Sequence, residues 1–378
     1  MPISNDKGNF IKPGFDPLAA QTSFTVYNLY SWGLNTSGQL GNGSTANTSS
    51  PAQVGSLTAW AHSFTGSTFG GAITGTGTLW MWGANTYGQL GDGTTVSKSS
   101  PIQIGALTNW QSADGGSYHT SAIKTDGTLW AWGNNNAGQI GDGTSGTNRS
   151  SPIQIGALTT WYKISCGQSH VLATKTDGTL WAWGNNNAGQ LGDGTQVSKS
   201  SPIQVGALTT WLNISAGYYQ SVAVKTDGTL WAFGYNSVGQ LGTGNTTMYS
   251  SPVQVGSLTT WSEISAATQW CLSIKTDGTL WAWGFNNYGQ VGDGTTTNRN
   301  SPVQIGALTT WSKAEAGSYQ GYAIKTDGAL WTWGFNGYGQ LADGTTVNKS
   351  SPIQIGALTT WAVLPRMSRS FAPLVLTD

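Results

Sequence analysis

Four near-copies of Gly-Gln-Leu-Gly-Asp-Gly, at 88–93, 138–143, 189–194 and 289–294, could cradle a phosphate or a cation. A dinucleotide fingerprint needs a strand, the glycine loop and then a helix N-terminus. No helical period follows these loops. A phosphate loop would need Gly-Lys-Ser, whereas Lys98 and Lys199 follow Ser97 and Ser198. A calcium site needs six to eight oxygens, usually with several carboxylates. Each of these loops offers one, Asp92, Asp142, Asp193 or Asp293, as does Asp343 in the Gly-Gln-Leu-Ala-Asp-Gly loop at 339–344. Neither a cofactor nor a metal site is expected, and the glycines read as suppliers of positive φ.

Catalytic sets are equally absent. His119 and His170 occupy one repeated position, which elsewhere holds Phe69, Gln220, Trp270, Gln320 and Ser370. A catalytic group is singular rather than one variant of a repeated slot, so the chain reads as a non-enzyme. Lys98, Arg149, Lys199, Arg299 and Lys349 recur three positions before a proline and form a candidate basic rim. Each follows a loop Asp, so the rim reads as locally neutralised. The most variable positions read STFG, SYHT, QSHV, YYQS, TQWC and SYQG in successive units. They nominate Tyr118, His119, Tyr218, Tyr219, Gln220, Gln269, Trp270, Tyr319 and Gln320 as a binding cluster at one end of the fold. Aromatics with amides suit protein or glycan contact. A second patch, after the Trp-Gly pair, holds Tyr87, Tyr235, Phe285, Tyr288, Phe335 and Tyr338.

The elements that position these residues follow from a repeat. A Trp-Gly or Phe-Gly pair recurs at Trp32, Trp82, Trp132, Trp183, Phe233, Trp283 and Trp333, and a second tryptophan keeps the same period from Trp60 to Trp361. One unit, from Trp161, parses into four strands: YKISC, HVLATK, TLWAWG and PIQVG. The Asp-Gly of TDGT marks a hairpin between the second and third. Gly, Asn, Ser and Thr are too dense for helices. Seven units of four antiparallel strands predict an all-β, seven-bladed β-propeller over residues 26–378. The C-terminal segment 361–378 matches the first half of a unit, and VYNLYSWG at 26–33 with the loop and SPAQVG that follow it matches the second, so one blade is expected to combine strands from both termini. Residues 1–25, with Pro2, Pro13 and Pro17, read as an extended arm.

The units resemble the regulator of chromosome condensation repeat family. The resemblance rests on the order G…H…A…DG…LWAWGNNNAGQLGDG…P, on the period and on the seven copies. It implies the propeller fold and leaves function open, because members act in unrelated ways. One member is an exchange factor for the GTPase Ran that uses an inserted β-wedge, and here the period is unbroken. Another, a plant UV-B photoreceptor, uses Gly-Trp-Arg-His-Thr motifs. The corresponding positions here read Ser117-Tyr118, Gln168-Ser169, Tyr218-Tyr219 and Ser318-Tyr319.

Composition sets the remaining limits. Charged residues are 8% of the chain and the net charge is zero, which argues against nucleic acid as a partner. No apolar run is long enough to span a membrane, and no secretory signal is evident at the N-terminus. Cys166 and Cys271 fall at different repeat positions and read as small buried hydrophobes. The leading expectation is a non-enzymatic interaction scaffold, a virion or extracellular surface component docked to a protein partner through residues 1–25. The alternatives are a lectin-like propeller binding a glycan, and a cytoplasmic regulator such as a GTPase exchange factor or chromatin binder.

Overall fold

A computed structural model describes residues 26–364, together with the backbone pairing of residues 3–4, 10–11 and 374–377. Apart from the pairing of Ile3–Ser4 with Phe10–Ile11, the expected arm lies outside the described residues.

The described residues form strands and turns and no helix. The unit from Trp161 shows the pattern. Its strands are Trp161–Cys166, His170–Lys175, Leu180–Gly184 and Lys199–Gln204, paired antiparallel in chain order. The inner strand carries one extra residue, so Trp161 faces Lys175 and then Lys163 faces Thr174. Six consecutive sheets are built this way. A further four-stranded sheet joins the two ends of the chain: Trp361–Val363, Leu374–Thr377, Asn28–Gly33 and Thr48–Gln53. The fold is thus an all-β propeller with four antiparallel strands per blade.

The outer strand differs from the expectation. It begins three residues earlier, and its proline lies inside it, as Pro202 does in Lys199–Gln204. An outer strand has one unpaired edge, so a residue without an N–H is tolerated there.

The core is a series of seams between blades. One seam packs Ile123, Leu129 and Ala131 of one blade against Trp161, Val171 and Trp183 of the next. The Trp-Gly tryptophan locks each seam. Trp183 Nε1 donates to the backbone O of Gln139 in the preceding blade (3.0 Å), and Trp132 does the same to Gln89 (2.9 Å). Phe233 has no donor, and Ser221 Oγ bonds Gln190 O instead (2.7 Å). The indole needs space. A Cβ on Gly141 would stand 2.8 Å from Trp183 Nε1, and the residue has φ of +85°. This position of the loop must therefore be glycine for two independent reasons.

One repeat departs from that rule. Ala342 occupies the same position with φ of 56°, the one positive value outside glycine among the described residues, and packs in the cluster that holds Trp32. A left-handed non-glycine residue costs about 1–2 kcal/mol. Ala342→Gly is therefore expected to stabilise the protein by about 1 kcal/mol in urea unfolding. Gly292→Ala, whose Cβ would lie 2.7 Å from Trp333 Nε1, is expected to destabilise it by about 1–3 kcal/mol.

Candidate functional site

The glycine loop satisfies itself. In LWAWGNNNAGQLGDG the buried Asn186 is the hub. Its Oδ1 accepts from Leu191 N–H (2.9 Å), and its Nδ2 donates to Asp193 Oδ1 (3.0 Å) and Thr195 O (3.1 Å). Asp193 also accepts from the Thr195 N–H and hydroxyl. Partial burial alone would raise the Asp193 pKa; the bonds from Thr195, Asn186 and Lys199 outweigh it and hold the carboxyl below the usual range. Asp92, Asp142, Asp293 and Asp343 are lowered in the same way, with burial opposing and the loop threonine leading the bonds that outweigh it. The carboxylates are committed to their own turns. Among the described residues no cluster of His, Cys, Asp or Glu could hold a metal ion.

The basic rim is tied to the same carboxylates. Lys98 pairs with Asp92 (3.6 Å), Lys199 with Asp193 and Lys349 with Asp343 (3.4 Å each), and Arg149 and Arg299 with Asp142 and Asp293. These partly exposed pairs contribute about 0–1 kcal/mol each. They cancel the rim's field at short range.

The nominated binding cluster splits in two. His119, Gln220, Trp270 and Gln320 are fully buried, which corrects their placement at the surface. Each starts the second strand of its blade, and this slot fills the gap to the next blade. Gln220 Nε2 donates to Ala267 O (2.8 Å) and Trp270 Nε1 to Gly317 O (3.1 Å). His170, in the same slot, bonds Ser221 Oγ of the next blade (3.0 Å). The slot varies because different side chains can plug the same seam.

The other members reach the surface. Tyr118 is exposed, and Tyr218, Tyr219, Gln269 and Tyr319 are half-buried. They sit in turns between first and second strands, at the same end of the fold as the long loops between third and fourth strands. The two patches seen in the sequence therefore merge. Tyr219 lies 4.6 Å from Tyr218 and 6.3 Å from Tyr235, ring centre to ring centre. Tyr319 lies 5.3 Å from Tyr288 and 5.8 Å from Phe285. Tyr288 continues to Phe335 at 5.0 Å, and Phe335 to Tyr338 at 5.8 Å. Burial raises the Tyr319 pKa first, and the Tyr288 and Tyr218 phenols add to it. The two ring groups belong to three consecutive blades and make up the aromatic sector of this face. Tyr87 and Tyr118 form a separate pair at 5.0 Å. Between the two, the loops carry small polar residues, with Asn136, Asn185, Asn187 and Ser198 around a shallow cleft.

The sector costs the fold hydrogen bonds. Where the loop begins Asn-Asn-Asn, the first asparagine accepts from a buried glutamine: Asn134 from Gln139 Nε2 (2.6 Å) and Asn185 from Gln190 Nε2 (2.7 Å). Tyr235, Phe285 and Phe335 replace that asparagine, and the buried Nε2 atoms of Gln240, Gln290 and Gln340 have no hydrogen-bond partner among the described residues. Gln89, behind Ala84, is alike. An unpaired buried amide costs about 1–3 kcal/mol. Tyr235, Phe285 and Phe335 thus stand where an asparagine pairs the buried amide in two other blades.

The sequence reading missed a second set of residues. The third position of six inner strands carries His62, Ser112, Lys163, Asn213, Glu263 or Lys313, and several of these bond to the next blade. Lys163 Nζ donates to Asn213 Oδ1 (2.6 Å), Asn213 Nδ2 to Ser262 O (2.7 Å), and Lys313 pairs with Glu263 (3.2 Å). The signal was available: this position varies from unit to unit among near-identical neighbours. Both cysteines are buried, neither is in a disulfide among the described residues, and burial pushes the Cys271 thiol up.

Restoring asparagine tests the cost directly. Phe285→Asn is expected to be more stable than Phe285→Ala by about 1–3 kcal/mol, because only Asn gives Gln290 its partner. Urea unfolding of the two variants measures the difference.

The comparisons with known proteins follow the same architecture. The RCC1-like domain model matches residues 115–368, and the regulator of chromosome condensation (RCC1) repeat matches 28–73 and 76–123. Prp20p from Saccharomyces cerevisiae is similar in structure, with a TM-score of 0.83 at 18% identity over 96% of this chain and 94% of that one. Human WBSCR16 gives 0.83 at 19% identity over 93% and 100%. Likeness at that identity speaks for the fold alone, but the domain match covers well over half of the chain, and so the chain belongs to the RCC1-like domain family.

Proposed function

We propose that the chain is a protein-binding propeller without catalytic chemistry of its own, and that it docks its partner on the aromatic sector of its loop face. The sheet made from both ends of the chain is read as the seventh blade, which closes the ring and leaves only the short outer-strand edges. The observation that carries the proposal is a pair of ring clusters in three consecutive blades, Tyr218–Tyr219–Tyr235 and Phe285–Tyr288–Tyr319–Phe335–Tyr338, in which Tyr235, Phe285 and Phe335 stand where an asparagine would have satisfied a buried amide. Exposed tyrosines with restricted side chains are characteristic of interface hot spots.

Family membership favours the regulator alternative over a virion or extracellular component. Prp20p is described with binding properties to Gsp1p and histones, and the same yeast protein has been seen bound to Kap60. The virion reading rested on composition and on residues 1–25, which lie outside the described residues. The opposite face repeats one pattern. Lys124, Lys175, Lys225 and Lys275 each cover a tryptophan ring at about 3.5 Å, and leucines such as Leu208, Leu258 and Leu308 are exposed at the same place in each unit.

A photo-crosslinking residue placed at Tyr288, on the loop face, and at Leu258, on the opposite face, tests the assignment. Capture of a defined partner from 288 and not from 258 is expected. Capture from 258 alone would overturn it. The full chain is also expected to leave GDP release from a Ran-type GTPase unchanged, and acceleration would overturn the non-enzymatic part.

A further inference from the structure

The chemistry of the aromatic sector narrows what it binds. The turns 217–220, 267–270 and 317–320 and the loop segments 234–240, 284–290 and 334–340 contain no Lys, Arg, Asp or Glu. The nearest loop cations are paired with loop carboxylates, as Arg299 is with Asp293. A charged ligand would lose hydration here without gaining a counter-charge. The ligand is therefore uncharged.

The arrangement of the rings selects further. Tyr218 and Tyr219 meet at 89°, Tyr219 and Tyr235 at 79°, and Phe335 and Tyr338 at 76°. Tyr288 meets Tyr319 at 56° and Phe335 at 59°. None of these pairs is stacked. Neighbouring rings are set edge to face or tilted, not as parallel platforms. A sugar ring stacks on an open aromatic face and asks for both donors and acceptors from amides or carboxylates. A pyrrolidine ring, compact and puckered, fits between tilted rings.

Hydrogen bonding points the same way. Phenol hydroxyls and side-chain amides at the sector's surface, such as those of Tyr288, Asn287 and Gln269, can donate. Proline has no N–H, so a proline-rich segment offers carbonyl acceptors only. In the polyproline II conformation those carbonyls have no internal partner, and the chain is extended before binding, so little conformational entropy is lost. Aromatic-lined grooves recognise such segments in other folds.

We propose that the loop-face sector formed by Tyr218, Tyr219, Phe285, Tyr288, Tyr319 and Phe335 binds an uncharged, proline-rich segment of a partner protein in the polyproline II conformation. This rests on the protein-docking reading above and names the chemistry of the docked segment.

The probe is decaproline, about 31 Å long, titrated calorimetrically into the full chain. A Gly-Ser decapeptide and the neutral hexasaccharides cellohexaose and chitohexaose are titrated alongside. Saturable binding of decaproline alone is expected, weakened at least tenfold in Tyr288→Ala and in Tyr319→Ala. Phe285→Asn, which keeps the buried amide paired, is expected to weaken it too while folding at least as well as Phe285→Ala. No saturable decaproline binding, equal binding by the folded variants, or saturable binding of a hexasaccharide would each overturn the proposal. If decaproline fails while position 288 still crosslinks a partner and Tyr319→Ala abolishes it, the polyproline chemistry falls and the docking surface stands. If the crosslink fails as well, both fall.

Discussion

One hydrogen bond, from a buried indole N–H to the glutamine carbonyl of the preceding blade, holds this ring in register. Trp82 gives it to Gln39, Trp183 to Gln139, Trp333 to Gln290 and Trp32 to Gln340. The first and last of these partners are far apart in the chain: Trp32 and Gln340 join the two ends. The bond works only if the carbonyl is presented at a fixed place and the indole has room. The asparagine hub fixes the carbonyl by folding its loop into a closed network, and the glycine two residues after the glutamine makes the room. The tryptophan, asparagine, glutamine and glycine of the repeated motif are thus parts of one joint.

That joint explains why so little of the surface is available for recognition. The loop's amides, its carboxylate and its basic residue are used internally, and the slot at the start of each second strand is consumed by the seam. What is left is the residue after the Trp-Gly pair, the residue three places later and the turn between first and second strands. In three neighbouring blades the first of these positions is a ring, Tyr235, Phe285 or Phe335, whereas Asn134 and Asn185 in two other blades give the buried glutamine a partner. The fold can build the better-bonded version, as it does at Asn134 and Asn185. In the proposed function, stability and recognition compete at this one position.

Much of the architecture was legible in the sequence because the period is nearly constant and hairpin turns announce themselves as Asp-Gly. The outer strand was misplaced because proline was taken as its first residue, when an edge strand tolerates it inside. The rim ion pairs were legible, since Asp and Lys recur together in one short loop. His119, Gln220, Trp270 and Gln320 were misread for a different reason. Variation at a repeated position looks the same whether a side chain meets solvent or the next blade, and the partner carbonyl lies most of a repeat away, as Gly317 does from Trp270. The inner-strand belt from His62 to Lys313 was missed because alternation cannot say which polar face turns to the axis.

The most direct measurement is urea unfolding of the triple variant Tyr235→Asn, Phe285→Asn, Phe335→Asn beside the wild type. The account expects the variant, with all three buried glutamine amides paired, to be at least as stable as the wild type despite losing three rings, and to lose partner capture from the loop face. A variant that is clearly less stable and still captures its partner would show that the rings are there to pack the fold, and would contradict it.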